Sequence, residues 1–123
     1  MEKAKSLGYI NILASNKAGS LLRNEAHMLN VDMYFDRIIG AEDTSCDKPS
    51  KSFTDSAVAG FDAENIISIG DGKADIQMGR NYITGVSLLV WSNPDSLEFV
   101  ENKPDASFSN LQDLVVYLEN FMV

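Results

Sequence analysis

The chain has 123 residues, 45% of them hydrophobic, and its 18 acidic and 10 basic side chains give a formal net charge of −8. That length predicts one domain with a modest core, and the acidity argues against nucleic acid as a partner, although one local cation is enough to hold a phosphate. No stretch is long enough to span a membrane, residues 1–7 lack the apolar region of a secretory signal, and the one cysteine, Cys46, excludes an internal disulfide framework and predicts a reducing, cytoplasmic setting.

Residues 2–7 read as the last turns of a helix stopped by Gly8. Residues 9–14 read as a buried strand ending in Ser15-Asn16-Lys17. A helix follows over about 20–30, where Leu21, Leu22, Met28 and Leu29 share a mostly apolar face. His27, the one histidine, lies off that face and reads as a solvated surface side chain without a partner. Residues 31–35 form a connector expected to pack Met33, Tyr34 and Phe35 on the core, and 37–40 a short strand.

The segment 41–49 is polar and acidic. Cys46 beside Asp47 is a poor nucleophile, because a neighbouring carboxylate disfavours the thiolate. Pro49 suits the first position of a helix over about 50–59, with Phe53, Ala57 and Val58 inward and Lys48 at its entrance. Gly60 ends that helix. After the strand that opens at Ile66, a helix runs to about Tyr82, and 86–91 form another apolar strand. A short helix is expected over 96–101, an edge strand over 106–108, and a last helix capped by Asn110. Leu111, Leu114, Val115, Leu118, Phe121 and Met122 recur there at helical spacing as core. Strands and helices alternate throughout, which predicts an α/β fold with a mostly parallel sheet.

The stretch Ile66-Ile67-Ser68-Ile69-Gly70-Asp71-Gly72-Lys73-Ala74-Asp75 carries the chemistry. A carboxylate at the C-terminal tip of a parallel strand sits where open α/β sheets bind ligands. Asp75, one turn into the next helix, can face the same crevice, and two hard oxygen donors suit magnesium. The plain alternative is a strand-turn-helix with Asp71 near the N-cap and Asp75 favouring the helix dipole. Right-handed crossovers bring the strand tips to one edge, so Ser15, Asn16, Lys48, Asp71 and Asp75 gather there. A hydroxyl and backbone N–H groups hold phosphoryl oxygens, and a lysine neutralises charge on a transferring phosphoryl group. Taken alone, Ser15 reads more readily as a helix cap and Lys48 as a solvated loop lysine, but the ordered set is hard to produce by chance.

The order Ser15, then Asp47-Lys48-Pro49, then Gly70-Asp71-x-x-x-Asp75 resembles the second, third and fourth motifs of the haloacid dehalogenase (HAD) superfamily. Ile12-Leu13-Ala14-Ser15-Asn16-Lys17 and Tyr34-Phe35-Asp36-Arg37-Ile38-Ile39-Gly40 bring it nearest the phosphoglycolate-phosphatase-like branch. The resemblance runs from about residue 5 to the C-terminus. It implies a three-layer αβα Rossmann-like core. It implies that Ser15 and Lys48 act in catalysis and that Ser15, Asn16 and Lys48 bind phosphate. Asp71 and Asp75 would serve a Mg2+ ion, weakly held or absent without the missing motif. The substrate class would be a small phosphorylated metabolite. Gly72 stands where a serine is common in the branch.

The family's first motif, Asp-x-Asp-x-Thr, is absent from the chain, as is the cap that follows it. Its first aspartate is the family's nucleophile, and its strand lies in the sheet centre. Residues 1–123 are therefore expected to form a single, truncated core domain lacking the central first strand and inactive alone. The strands at Tyr9 and Ile66 should then pair directly, or leave an edge for an N-terminal fragment or for self-association. A non-catalytic truncated relative that binds a partner or phosphate is the alternative. A receiver-like phosphoacceptor domain fits less well, because its hydroxyl and lysine follow its aspartates.

Overall fold

The computed structural model describes residues 2–44, 48, 50–61, 65–82 and 85–121. Helix α1 (Glu2–Ser6) leads into strand β1 (Ile12–Ala14), helix α2 (Gly19–Met28) and strand β2 (Arg37–Ile39). Helix α3 (Lys51–Val58), strand β3 (Ile67–Gly70), helix α4 (Lys73–Arg80) and strand β4 (Val86–Val90) follow. Strand β5 (Ala106–Phe108) and helix α5 (Leu111–Phe121) close the chain.

Every strand pair is parallel, in the order β1-β2 and β3-β4-β5. Strands β1 and β3 are not paired with each other among the described residues, so the expected direct closure of the two strands is not what the chain adopts. Strand β4 is central to its sheet and reads Val86-Ser87-Leu88-Leu89-Val90, an unbroken run suited to burial on both faces. Leu88 and Val90 pack on Leu114 and Leu118 of α5, while Leu89 packs on Ile76 of α4 and on Phe99. Helices therefore cover both faces, in three layers.

Across the gap between the sheets, side chains make the connection. Met78 of α4 joins Phe53 and Ala57 of α3, with Ile12, Ala14 and Ile39 against them. The Asn81 amide donates to Thr54 Oγ1 at 3.4 Å. The Tyr82 hydroxyl donates to the Asp55 carboxylate, and burial first, then that carboxylate, pushes the phenol up to about 12. On the opposite face the Tyr9 hydroxyl donates to the Leu118 carbonyl at 2.9 Å.

Local signals account for most element ends. Gly8 and Gly60 follow α1 and α3 at φ of +91° and +87°, which side chains disfavour. Ser50 caps α3, its Oγ accepting the Phe53 N–H at 3.2 Å, so the helix starts after Ser50. Asn110 Oδ1 accepts the Asp113 N–H at 2.9 Å, as its predicted cap role requires.

Several expectations are corrected. Residues 9–11 are not strand: the Tyr9 N–H returns to the Ala4 carbonyl. The apolar face of α2 is not buried as a whole: Leu22 and Ala26 are inside, but Leu21, Met28 and Leu29 are exposed. Met33 is exposed as well. His27 has a partner, its Nδ1 lying 3.1 Å from Asp32 Oδ2. The expected helix over 96–101 is one 3-10 turn, Leu97–Phe99. Trp91 leaves β4 at a φ of +56°, and α4 stops at Arg80, short of Tyr82. Leu111 and Phe121 are exposed on the outer part of the α5 stripe. Cys46, Pro49 and Met122 lie outside the described residues.

Asp105 anchors the start of β5. Its carboxylate accepts from the Ser87 N–H at 2.7 Å and from Arg80 Nη1 at 2.8 Å. The Arg80 guanidinium foremost, with the Ser87 N–H, holds the carboxyl below the usual carboxylate range. A depressed native pKa gives stability that is present above the unfolded value of about 3.9 and drains as the pH falls through the native value. We expect Asp105→Asn to cost about 1 kcal/mol at neutral pH, a modest figure because the carboxylate is partly exposed. The deficit should shrink as the pH falls below the unfolded carboxyl value of about 3.9, as measured by urea titration of both proteins at each pH.

Candidate active site

Three of the five predicted residues, Asn16, Lys48 and Asp75, are joined by direct contacts at the C-terminal tips of β1 and β3, and Ser15 precedes Asn16 in the chain. Ser15 follows β1 directly, its N–H held by the Ile39 carbonyl of β2 at 3.2 Å. Its Oγ accepts the Lys17 N–H at 3.1 Å. The hydroxyl therefore closes a tight turn rather than capping α2, whose N-cap is Ala18 without a side-chain bond. The Ser15 proton remains available to an oxygen of a ligand.

Asn16 and Lys48 act as a unit. Asn16 Oδ1 accepts the Lys48 N–H at 2.9 Å, pinning the backbone just before α3. The Lys48 Nζ turns inward, donating to Asp75 Oδ1 at 2.7 Å and to the Ala14 carbonyl at 3.3 Å. The two charged side chains are 14% and 15% exposed, so Lys48 is not a solvated loop lysine. Two of its three N–H donors are used by these contacts, which leaves one for a phosphoryl oxygen.

Asp75 stands in the first turn of α4, where its charge favours the helix dipole. Ser68 Oγ donates to the Asp75 carbonyl at 2.7 Å, locking the turn against β3. Gly70 makes the approach possible: a Cβ there would overlap the Asp75 side chain down to its own Cβ. Asp71 follows Gly70 on the strand tip and is exposed, and its carbonyl accepts from Ser92 Oγ. Among the described residues its carboxylate makes no ion pair, and the N-cap of α4 is Gly72, so Asp71 does not cap the helix. Sequence reasoning missed Ser92, which lies two residues past the end of β4 and reaches the Asp71 carbonyl.

No group of three or more His, Cys, Asp or Glu side chains that could hold a metal occurs among the described residues. The two aspartates nonetheless match what magnesium asks of a protein, one or two carboxylates with water and phosphate completing the shell. A cavity of about 630 Å³ has Lys48 and Asp75 in its lining, together with residues of β1 and β3, while Asp71 lies outside it.

The sequence pattern described as Haloacid dehalogenase-like hydrolase matches residues 1–89. The chain belongs to the haloacid dehalogenase-like hydrolase family. The phosphoglycolate phosphatase of Aquifex aeolicus is 30% identical over 125 residues, covering 100% of this chain and 57% of that protein. The pyrophosphatase PpaX of Bacillus cereus is 25% identical over 122 residues, covering 98% of this chain and 56% of that protein. A HAD-superfamily hydrolase structure from Ehrlichia chaffeensis superposes with a TM-score of 0.78 at 28% identity, covering 99% of this chain and 55% of that one. The chain thus spans about half the length of the curated relatives it matches.

The absence of a side chain at Gly70 gives the Lys48–Asp75 contact a steric requirement that can be measured. Gly70→Ala should force Asp75 away from β3, costing about 1–3 kcal/mol by overpacking. Urea unfolding should report that loss, and the Lys48 Nζ protons should exchange with solvent faster than in the parent chain.

Proposed function

We propose that residues 1–123 form one partial core domain of a cytoplasmic, magnesium-dependent HAD-type phosphatase acting on small phosphomonoesters, of the phosphoglycolate-phosphatase kind. The observation that carries this reading is the Lys48–Asp75 pair beside Ser15 and Asn16 at one end of the parallel strands. The relatives' names, phosphoglycolate phosphatase and pyrophosphatase, support a phosphoryl substrate.

In this reading Ser15 donates its hydroxyl proton to a phosphoryl oxygen. Asn16 fixes the Lys48 backbone, and Lys48 Nζ neutralises charge on the transferring group. Asp75 holds that ammonium in place. Asp71 and Asp75 would hold the magnesium ion, Asp71 directly or through water and Asp75 from beside it, and the ion would offset phosphate charge. The phosphoryl group passes to an aspartate supplied from outside these 123 residues, and then to water. The partner is that segment, an N-terminal fragment, with self-association through the open sheet edge as the competing arrangement.

The 123-residue chain alone should not turn over. We expect no magnesium-dependent hydrolysis of an aryl phosphate above buffer. Robust turnover that disappears in Asp71→Asn would show that the nucleophile lies within the chain after all and would overturn this assignment.

A further inference from the structure

We propose that Ser92 is a positioning residue for Asp71: its hydroxyl, folded back by a left-handed turn at Trp91, holds the peptide that aims the Asp71 carboxylate. The proposal deepens the reading above and rests on it for the metal ion that the carboxylate would meet. Its basis is the register of β4 beside β3.

Gly70, the last residue of β3, lies opposite Leu89. Asp71 therefore stands level with Val90, two residues short of Ser92. An extended β4 would carry Ser92 about 6–7 Å past Asp71 along the strand. The chain turns instead. Trp91 keeps its N–H on the Phe108 carbonyl at 3.0 Å, so the ladder to β5 holds up to that residue. Its φ is +56°, and the turn brings Ser92 Oγ back to donate to the Asp71 carbonyl. On the far side, Asn93 Oδ1 accepts the Asp95 N–H at 3.0 Å and the Asn93 carbonyl accepts the Ser96 N–H at 3.2 Å. Ser92 is thus fixed from both directions.

The left-handed region is open to glycine and disfavoured for a bulky aromatic residue. Trp91 is 62% exposed, so burial of its indole does not offset the strain. Backbone outliers of this kind persist where the surrounding structure demands them, and they gather at functional sites. What this turn delivers is the bond to Asp71.

The two site aspartates differ in how they are held. Ser68 Oγ donates to the Asp75 carbonyl at 2.7 Å, and Lys48 Nζ holds the Asp75 carboxylate at 2.7 Å. Asp71 is exposed, and among the described residues Ser92 is the one side chain that bonds it. The next residue is Gly72, where an added Cβ would meet nothing within 4 Å. A peptide that leads into an unpacked glycine has little else to stop it turning. Holding its carbonyl fixes both backbone rotations of Asp71, and with them the direction of the Cα–Cβ bond.

The test compares Ser92→Ala, Ser92→Thr and Trp91→Gly with the parent 123-residue chain. Local order is read from NMR relaxation of the Gly72 amide. Metal affinity is read from Mn2+ line broadening at Asp71 and Gly72. We expect Ser92→Ala to take the Gly72 order parameter from about 0.85 to below about 0.6, with amide protection retained in β3, β4 and α4. Mn2+ should bind about three- to tenfold more weakly. Ser92→Thr keeps the hydroxyl and should restore both. Trp91→Gly adopts the same turn without strain and should keep Gly72 as ordered as in the parent. Unchanged order at Gly72 in Ser92→Ala, loss of protection spreading through β4, or a threonine variant as loose as the alanine one would overturn the proposal. So would unchanged Mn2+ affinity beside a loosened Gly72, or a loosened Gly72 in Trp91→Gly, which would assign the hold to the indole. A parent chain that binds no Mn2+ would sink the magnesium reading alone, and the order at Gly72 would still decide this one.

Discussion

The ion pair between Lys48 and Asp75 closes one end of a molecule whose backbone pairing leaves it open. Strands β1 and β3 share no hydrogen bond among the described residues, yet their tips are tied through this 2.7 Å contact. Withdrawing two charges from water is costly, and such a pair persists only when further hydrogen bonds offset the loss. Here those bonds are the Ala14 carbonyl on Lys48 and the grip of Asn16 on its backbone. The Ser68 hydroxyl holds the turn that carries Asp75. The contacts that position the Lys48 ammonium are therefore also contacts that tie the two sheets together.

Local chemistry made much of this fold legible. Glycines after α1 and α3, the Ser50 and Asn110 caps, and the unbroken apolar run of β4 each declare their element from residues close in sequence. What failed was burial that depends on distant partners. Leu21, Met28 and Leu29 have helical spacing, but spacing cannot say whether another element covers that face, and in the described structure none does. Tyr9 carries the aromatic and β-branched signal of a strand. Its hydroxyl bond to Leu118 instead commits it to α5, a contact 109 residues away along the chain. The 96–101 stretch has apolar residues at helical spacing, but only Phe99 finds a core to enter.

The site was more legible than the fold around it, because its residues stand at strand tips, where topology gathers them. The order of Ser15, Lys48 and the two aspartates was enough to place the family. It could not assign the inner details. Whether Lys48 was solvated or paired, and whether Ser15 capped a helix or a turn, depends on rotamers that no spacing rule encodes. Gly70 shows the limit well. Its sequence signal is an ordinary strand end, but its role is to make room for the Asp75 side chain beside β3.

The break between the sheets also bears on how the molecule loosens. Hydrogen-bond ladders transmit order from strand to strand, and that transmission stops at the cleft. What couples the β1–β2 half to the β3–β5 half is side-chain contact: the Lys48–Asp75 pair, Met78 among Phe53 and Ala57, Asn81 on Thr54, Tyr82 on Asp55, and Tyr9 on the Leu118 carbonyl. Local opening occurs in contiguous cooperative units rather than residue by residue. The chain accordingly has a seam, crossed by side chains and not by a strand ladder among the described residues, where cooperative order is weakest.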